Sequence, residues 1–107
     1  MDVAACVVLV TAPSGVVAES IVTAVVEARL AACGNIVPGL VSIYRWEGAL
    51  HKDAEVLILF KTTAGAVTAL TERVVALHPY DVPEVLVLPV SAGSEPYLAW
   101  IRASVDG

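Results

Sequence analysis

Ile36-Val37-Pro38-Gly39-Leu40-Val41-Ser42-Ile43-Tyr44-Arg45-Trp46-Glu47-Gly48-Ala49-Leu50 is the stretch whose reading decides the fold. After Pro38-Gly39, the residues Val41, Ile43, Arg45 and Glu47 alternate with Ser42, Tyr44, Trp46 and Gly48. A period of two is that of a strand, in which successive side chains take opposite faces. Pro38 and Gly39 both weaken a hydrogen-bond ladder, so a bend or bulge is expected there. His51-Lys52-Asp53 is polar and short enough to turn a hairpin. Glu55–Lys61, with Val56–Phe60 continuously apolar, reads as the return strand.

Toward the N-terminus, Val3–Thr11 is almost all β-branched or aliphatic and predicts a strand buried on both faces. Ala12-Pro13-Ser14-Gly15 breaks it, and Ser14 is placed to cap a helix. From Val16 to Cys33 the pattern is helical. Val17, Ile21, Ala24, Val25, Ala28 and Ala32 share one face, and Glu19, Thr23 and Glu27 the other. Gly34-Asn35 is the expected stop. Toward the C-terminus, Thr62, Thr63 and Gly65 mark a break, and Val67, Leu70, Val74 and Leu77 define a second helix. That helix must end at His78, because the residue before a proline avoids the helical region. His78-Pro79-Tyr80-Asp81-Val82-Pro83 is a stiff loop, Val85–Val90 a last buried strand, and Pro96–Ser104 a short helix with Ser94 as its cap. The order β-α-β-β-α-β plus a C-terminal helix is that of a split βαβ, ferredoxin-like sandwich of the α/β (α+β) class. Right-handed crossovers put both long helices on one face of an antiparallel sheet.

The 107 residues fit one domain, 1–107. Their apolar fraction, 58%, exceeds the ~45–50% of an ordinary soluble domain. No apolar run reaches the ~18–20 residues of a membrane-spanning helix, so the excess points to burial between subunits. A net charge of 6 − 11 = −5 without basic clusters argues against nucleic acid. Met1-Asp2-Val3-Ala4-Ala5-Cys6 has no basic region, so no signal peptide is expected and the cytoplasm is the expected compartment. Cys6 and Cys33 match no metal or redox spacing and read as buried free thiols. The first helix returns toward the first strand, which makes a disulfide between them geometrically conceivable.

The hairpin is long for its body. About 14 extended residues span roughly 46 Å at ~3.3 Å each, against a radius of gyration near ~13 Å for a domain of this size. The strand must bend at Pro38-Gly39 or reach a neighbouring subunit, since Tyr44, Trp46 and the apolar return strand would otherwise leave a large exposed patch. Assembly through sheet edges is the expected outcome.

Several segments recur in a known order: Val10-Thr11-Ala12-Pro13, Leu30-Ala31-Ala32-Cys33, Asn35-Ile36-Val37-Pro38-Gly39, Tyr44-Arg45-Trp46-Glu47-Gly48, Lys61-Thr62-Thr63, His78-Pro79-Tyr80-Asp81-Val82-Pro83-Glu84 and Tyr97-Leu98-Ala99-Trp100. Together they resemble the signature blocks of the CutA divalent-cation tolerance family, from Val7 to about Ser104. The resemblance implies a ferredoxin-like homotrimer joined by strand pairing between subunits, with an architecture similar to the PII signal-transduction proteins. It also implies a part in tolerance of copper and other divalent cations. The copper site described for a bacterial member uses a cysteine late in the first strand and two adjacent histidines before the Pro-Tyr. Here those positions are Val10, Leu77 and His78. Only the histidine is kept, so copper would need a ring of His78 residues from different subunits, or His78 with a carboxylate.

Five residues make a candidate ligand pocket: Trp46, Lys61, His78, Tyr80 and Glu84, all at strand ends or on one stiff loop. Each has a plain structural alternative. Lys61 can snorkel, His78 can sit on the helix dipole, Tyr80 can pack, Glu84 can be solvated and Trp46 can anchor an interface. Brought together by a trimer, they suit a small anionic or metal-chelated ligand. The usual parts of an enzyme are missing. No glycine-rich phosphate loop, close pair of carboxylates or activated cysteine is legible. The expected function is a non-enzymatic trimer that binds a divalent metal or a small ligand and needs no cofactor beyond an optional Cu(II) or other divalent cation. The alternatives are a PII-like signalling or scaffold trimer that senses a metabolite, and an enzyme using His78 with Tyr80 or Glu84 as acid and base.

Overall fold

Cys6, Val8, Val10 and Ala12 point to one side of the first strand, and that side is sealed from water. A computed structural model describes residues 4–106, so the Val3 end of the expected first strand lies outside the described residues. The elements are β1 (Ala5–Ala12), α1 (Gly15–Glu27), β2 (Cys33–Trp46), β3 (Ala49–Thr63), α2 (Val67–Leu77, after a 3-10 turn), β4 (Leu86–Pro89) and α3 (Glu95–Ser104). The strands form one antiparallel sheet in the order β2-β3-β1-β4. This is the ferredoxin-like order, with α1 and α2 on one face.

The core lies between that face and the helices. Val8, Val10, Ile58 and Phe60 from the sheet meet Ile21, Val25, Leu70 and Val74 from α1 and α2. Leu77 does not join them and stays 42% exposed. A smaller cluster sets Ile101 and Val105, at the end of the chain, against Ala5, Ala32 and Ala66. The other face of the sheet has no helix over most of its length. In register, Val7, Leu9, Leu57, Leu59, Leu86 and Leu88 share it, and all are partly exposed. The expectations of a first strand buried on both faces and a buried last strand are therefore corrected for one subunit. β1 is sealed on one side only, and β4 is an edge strand with Leu86 54% exposed.

The first helix starts as expected, with Ser14 Oγ accepting from the Val17 N–H at 3.3 Å. It ends six residues before Cys33, where the helical reading had placed its end. Arg29 takes a left-handed φ of 59°, and two reversed bonds close the helix: Leu30 N–H to Val25 O at 3.1 Å and Arg29 N–H to Val26 O at 3.0 Å. This is the Schellman pattern, which usually has glycine at the left-handed position. Arginine is held there by the C-terminal segment. Its Nε donates to Asp106 Oδ1 at 2.8 Å, its Nη2 to Ala103 O at 3.1 Å, and its carbonyl accepts from the Asp106 N–H at 2.9 Å. Gly34, read as the helix stop, lies inside β2. A Cβ there would stand 2.8 Å from Val22 Cγ1 and 3.1 Å from the Phe60 ring, so this glycine lets α1 lie close on the sheet. Ser94 precedes α3 as expected, but its side chain makes no cap bond.

The hairpin turn is also displaced. His51-Lys52-Asp53 runs within β3, paired to Tyr44, Ile43 and Ser42. The chain reverses at Glu47-Gly48, with φ values of 51° and 78° between the paired Trp46 and Ala49. Two positive φ values make a two-residue turn whose twist suits a hairpin. The polar triplet was a weaker turn signal than the single glycine before it. The hairpin projects as an arm and gives the molecule a long dimension of 47 Å against 25 and 22 Å. Val41, Ile43 and Leu50 on that arm are 63%, 64% and 71% exposed. Cys6 faces the helices and Cys33 pairs with Lys61 on the other face. Both thiols are free, and their opposed directions remove the disulfide.

Candidate functional site

Pro38 and Gly39 together face one residue of β3, because the register runs Val37 to Leu57 and then Leu40 to Glu55. The extra residue makes a bulge, with Gly39 at a φ of 87°. Its effect is directional. Before the bulge, Asn35 and Val37 share a face with Leu59 and Leu57. Beyond it, Leu40, Ser42, Tyr44 and Trp46 share that face with Glu55, Asp53, His51 and Ala49. The aromatic residues of β2 therefore stand on the same side as the carboxylates of β3. Tyr44 stacks on His51 with centroids 5.4 Å apart and donates its hydroxyl hydrogen bond to Asp53.

The loop after α2 folds down onto this face, and His78 fastens it. His78 is 7% exposed and extended in backbone, as a residue before proline should be. Its Nδ1 accepts from the Tyr80 N–H at 3.1 Å, so Nε2 carries the proton and donates to Thr11 O at 2.7 Å. Tyr80 then reaches across and donates its hydroxyl to Glu55 Oε2 at 2.8 Å. A groove of about 660 Å³ lies between arm and loop, lined by Tyr44, Trp46, Glu55, Tyr80, Asp81 and Glu84 among others.

Of the five candidate residues, Trp46, Tyr80 and Glu84 line this groove. His78 stands behind it, its ring 4.6 Å from that of Tyr80. Both of its nitrogens serve the backbone, so the metal-ligand expectation meets a histidine already occupied in holding the loop. Lys61 is elsewhere. It lies six residues along β3 from Glu55, roughly 20 Å at ~3.3 Å per residue, and donates to Asn35 Oδ1. Within one subunit the groove therefore has no cation in its lining. Glu55 and Asp81 were missed. The signal for Glu55 was its position, a carboxylate opening an otherwise apolar run.

Burial, and then the bond to Glu55, hold the Tyr80 hydroxyl well above the ordinary phenol value of 10.0. The Tyr44 hydroxyl is raised chiefly by its bond to Asp53. A raised phenol binds its proton more tightly in the folded chain than in the unfolded one. Its contribution is therefore complete below pH ~10 and is lost as the pH climbs toward the folded value. Tyr80→Phe should abolish the latest-ionising phenol in a spectroscopic titration. The stability gap between the parent and this variant should narrow above pH ~10. A Tyr80 that ionises at the ordinary value would refute the bond to Glu55.

Residues 6–104 match the family model described as CutA1 divalent ion tolerance protein. The chain is 58% identical over 96 residues to a protein of Thermus thermophilus named divalent-cation tolerance protein CutA, covering 90% of this chain and 93% of that one. It is 46% identical over 98 residues to an Arabidopsis thaliana protein named Protein CutA, chloroplastic. That match covers 92% of this chain, which spans about half (54%) of the plant protein's length. The crystal structure of CutA1 from Oryza sativa superposes with a TM-score of 0.95 at 44% identity, covering 98% of this chain and 96% of that one.

Proposed function

Because the chain belongs to the CutA1 divalent ion tolerance family, we propose that it acts, without catalysis, as a homotrimer whose intersubunit clefts hold a small ligand or a divalent cation, in the response to metal ions. The observation that carries this reading is the uncovered apolar sheet face of Val7, Leu9, Leu57, Leu59, Leu86 and Leu88, flanked by two unpaired edges. The edges belong to different strands, β2 and β4. Joining β2 of one copy to β4 of the next is a head-to-tail contact, which closes into a ring where the rotation between copies allows it. The family resemblance supports three copies in that ring. Its three apolar faces would meet inside, and each projecting arm would lie against a neighbour beside the groove.

The donors of one subunit do not make a copper site. Among the described residues no three of His, Cys, Asp and Glu converge, and both His78 nitrogens are engaged. A divalent ion in the cleft would therefore need donors from more than one copy, with Glu55 and Glu84 more available than His78. The PII-like alternative, in which a partner reads the occupancy of the cleft by a small metabolite, is favoured by the aromatic walls of the groove. No helix of the described residues is long and apolar enough to cross a membrane. Two free thiols accord with a reducing compartment such as the cytoplasm, although the Arabidopsis relative is named chloroplastic.

Sedimentation equilibrium at micromolar concentration tests the assembly. Three copies of 11.1 kDa give about 33 kDa. A folded particle of 11.1 kDa would remove the cleft and the function built on it.

A further inference from the structure

We propose that the groove takes the cationic head of a small organic amine or guanidine, seated against the aromatic wall of Tyr44 and Trp46 with its charge on Glu55. The proposal rests on the reading of this groove as a ligand site and narrows the ligand to a class.

Charge comes first. Glu55, Asp81 and Glu84 line the groove, and no lysine or arginine does. A concave site of one sign concentrates ions of the other, so an anionic metabolite is repelled.

The buried carboxylate is the second and independent observation. Glu55 is only 9% exposed. Its Oε2 accepts the Tyr80 hydroxyl, and its Oε1 accepts no hydrogen bond from another described residue. Among the described residues no fully buried side-chain oxygen or nitrogen lacks a partner, and Glu55 is itself part of the groove lining. Glu55 has no ion pair either. Those among the described residues are Arg29–Asp106 and Arg102–Glu95. A carboxylate so far out of water is costly unless hydrogen bonds or a cation meet it, and a cation seated in the groove would meet it.

The walls then select the kind of cation. Tyr44 and Trp46 are 41% and 45% exposed and stand on the Glu55 side of the arm. Aromatic faces attract weakly hydrated organic cations, whereas a divalent metal ion wants several oxygen or nitrogen donors around it. Aromatic walls supply none, and no group of three such donors converges here. An ammonium or guanidinium group uses both features of the groove, the carboxylate as acceptor and the rings as floor.

The test uses the full chain as a Trp100→Phe variant, which leaves Trp46 as the single tryptophan. Agmatine, which carries a guanidinium and an ammonium, is the probe, with glutarate as the anionic control and Cu(II) alone as the metal. Agmatine should change Trp46 emission saturably. Its affinity should fall about tenfold or more in Glu55→Gln, and about threefold in the exposed-loop pair Asp81→Asn with Glu84→Gln, as loss of a close or a peripheral charge requires. The loop pair serves if Glu55→Gln fails to fold. Glutarate should leave the emission unchanged. No saturable response to agmatine, equal affinity in the charge variants, or equal binding of glutarate would each overturn the proposal. If Cu(II) binds and agmatine does not, the cation class is wrong and the metal reading of the cleft stands. If agmatine binds a particle of 11.1 kDa, the trimeric cleft is wrong and this proposal stands, since every residue it names belongs to one subunit.

Discussion

Leu59→Asp should turn a particle of about 33 kDa, three copies of 11.1 kDa, into single subunits or unfolded chain. Leu59 sits in mid-sheet on the uncovered face, paired with Leu9 on one side and Asn35 on the other. Its neighbours in sequence, Ile58 and Phe60, point the other way and are fully buried. If that face met only water, an aspartate there would be solvated and would cost no more than the partial burial of one leucine, about 1 kcal/mol. In a closed trimer each copy would instead drive an unpaired carboxylate into an apolar interior, at several kcal/mol per charge. The penalty recurs in all three copies, so the assembly should not survive it. Sedimentation of the variant beside the parent decides the matter. A variant that keeps the parental mass would show that this face does not line the interface.

His78→Ala is expected to destabilise the fold by about 2–4 kcal/mol, the cost of leaving two backbone groups without partners. The groups are the Thr11 carbonyl and the Tyr80 N–H, tied to the two ring nitrogens at 2.7 and 3.1 Å. The loop they fasten carries Tyr80 to Glu55, so its release should also let the Tyr80 phenol ionise closer to its ordinary value. A histidine kept for metal binding would behave differently, since its removal would leave stability and the phenol almost untouched. Denaturant unfolding and a phenol titration on the same variant separate the two roles. A loss below about 0.5 kcal/mol, within the range of ordinary surface changes, would return His78 to the metal.

Much of the architecture was legible because local pattern and tertiary role agree. The apolar run of β1, the apolar periods of α1 and α2, the cap at Ser14, the stop at His78 and the bend at Pro38-Gly39 all follow from single-chain physics. The errors fall where a distant residue overrides a local preference. Arg29 takes a glycine's backbone conformation where the distant Asp106 and Ala103 bond to it. Gly34 looked like a helix stop, and its reason for being glycine is the nearness of Val22 and Phe60. The Glu47-Gly48 turn was overlooked in favour of a more polar triplet, although only glycine enters its φ of 78° without strain.

The candidate site was half legible for a related reason. Residue type marks Trp46, Tyr80 and Glu84 as suited to a pocket, and the fold does gather them. Distance along a strand is not written in residue type. Lys61 shares β3 with Glu55 but stands near the opposite end of the sheet, beside Asn35. Nor does type distinguish a histidine that serves a ligand from one that serves its own backbone. That difference lies in the positions of Thr11 and the Tyr80 amide, which only the folded chain sets.

The one-residue excess at Pro38-Gly39 acts as a parity device, with a consequence for anyone exchanging parts between related chains. Every residue from Leu40 to Trp46 owes its facing to that odd count, so an arm grafted without its Pro-Gly joint would arrive inside out, offering Val41, Ile43 and Arg45 where Ser42, Tyr44 and Trp46 belong. Chimeras cut on the body side of Val37 should carry the site over intact. Those cut just after Gly39, into a recipient strand with no bulge, should keep the hairpin and lose the groove.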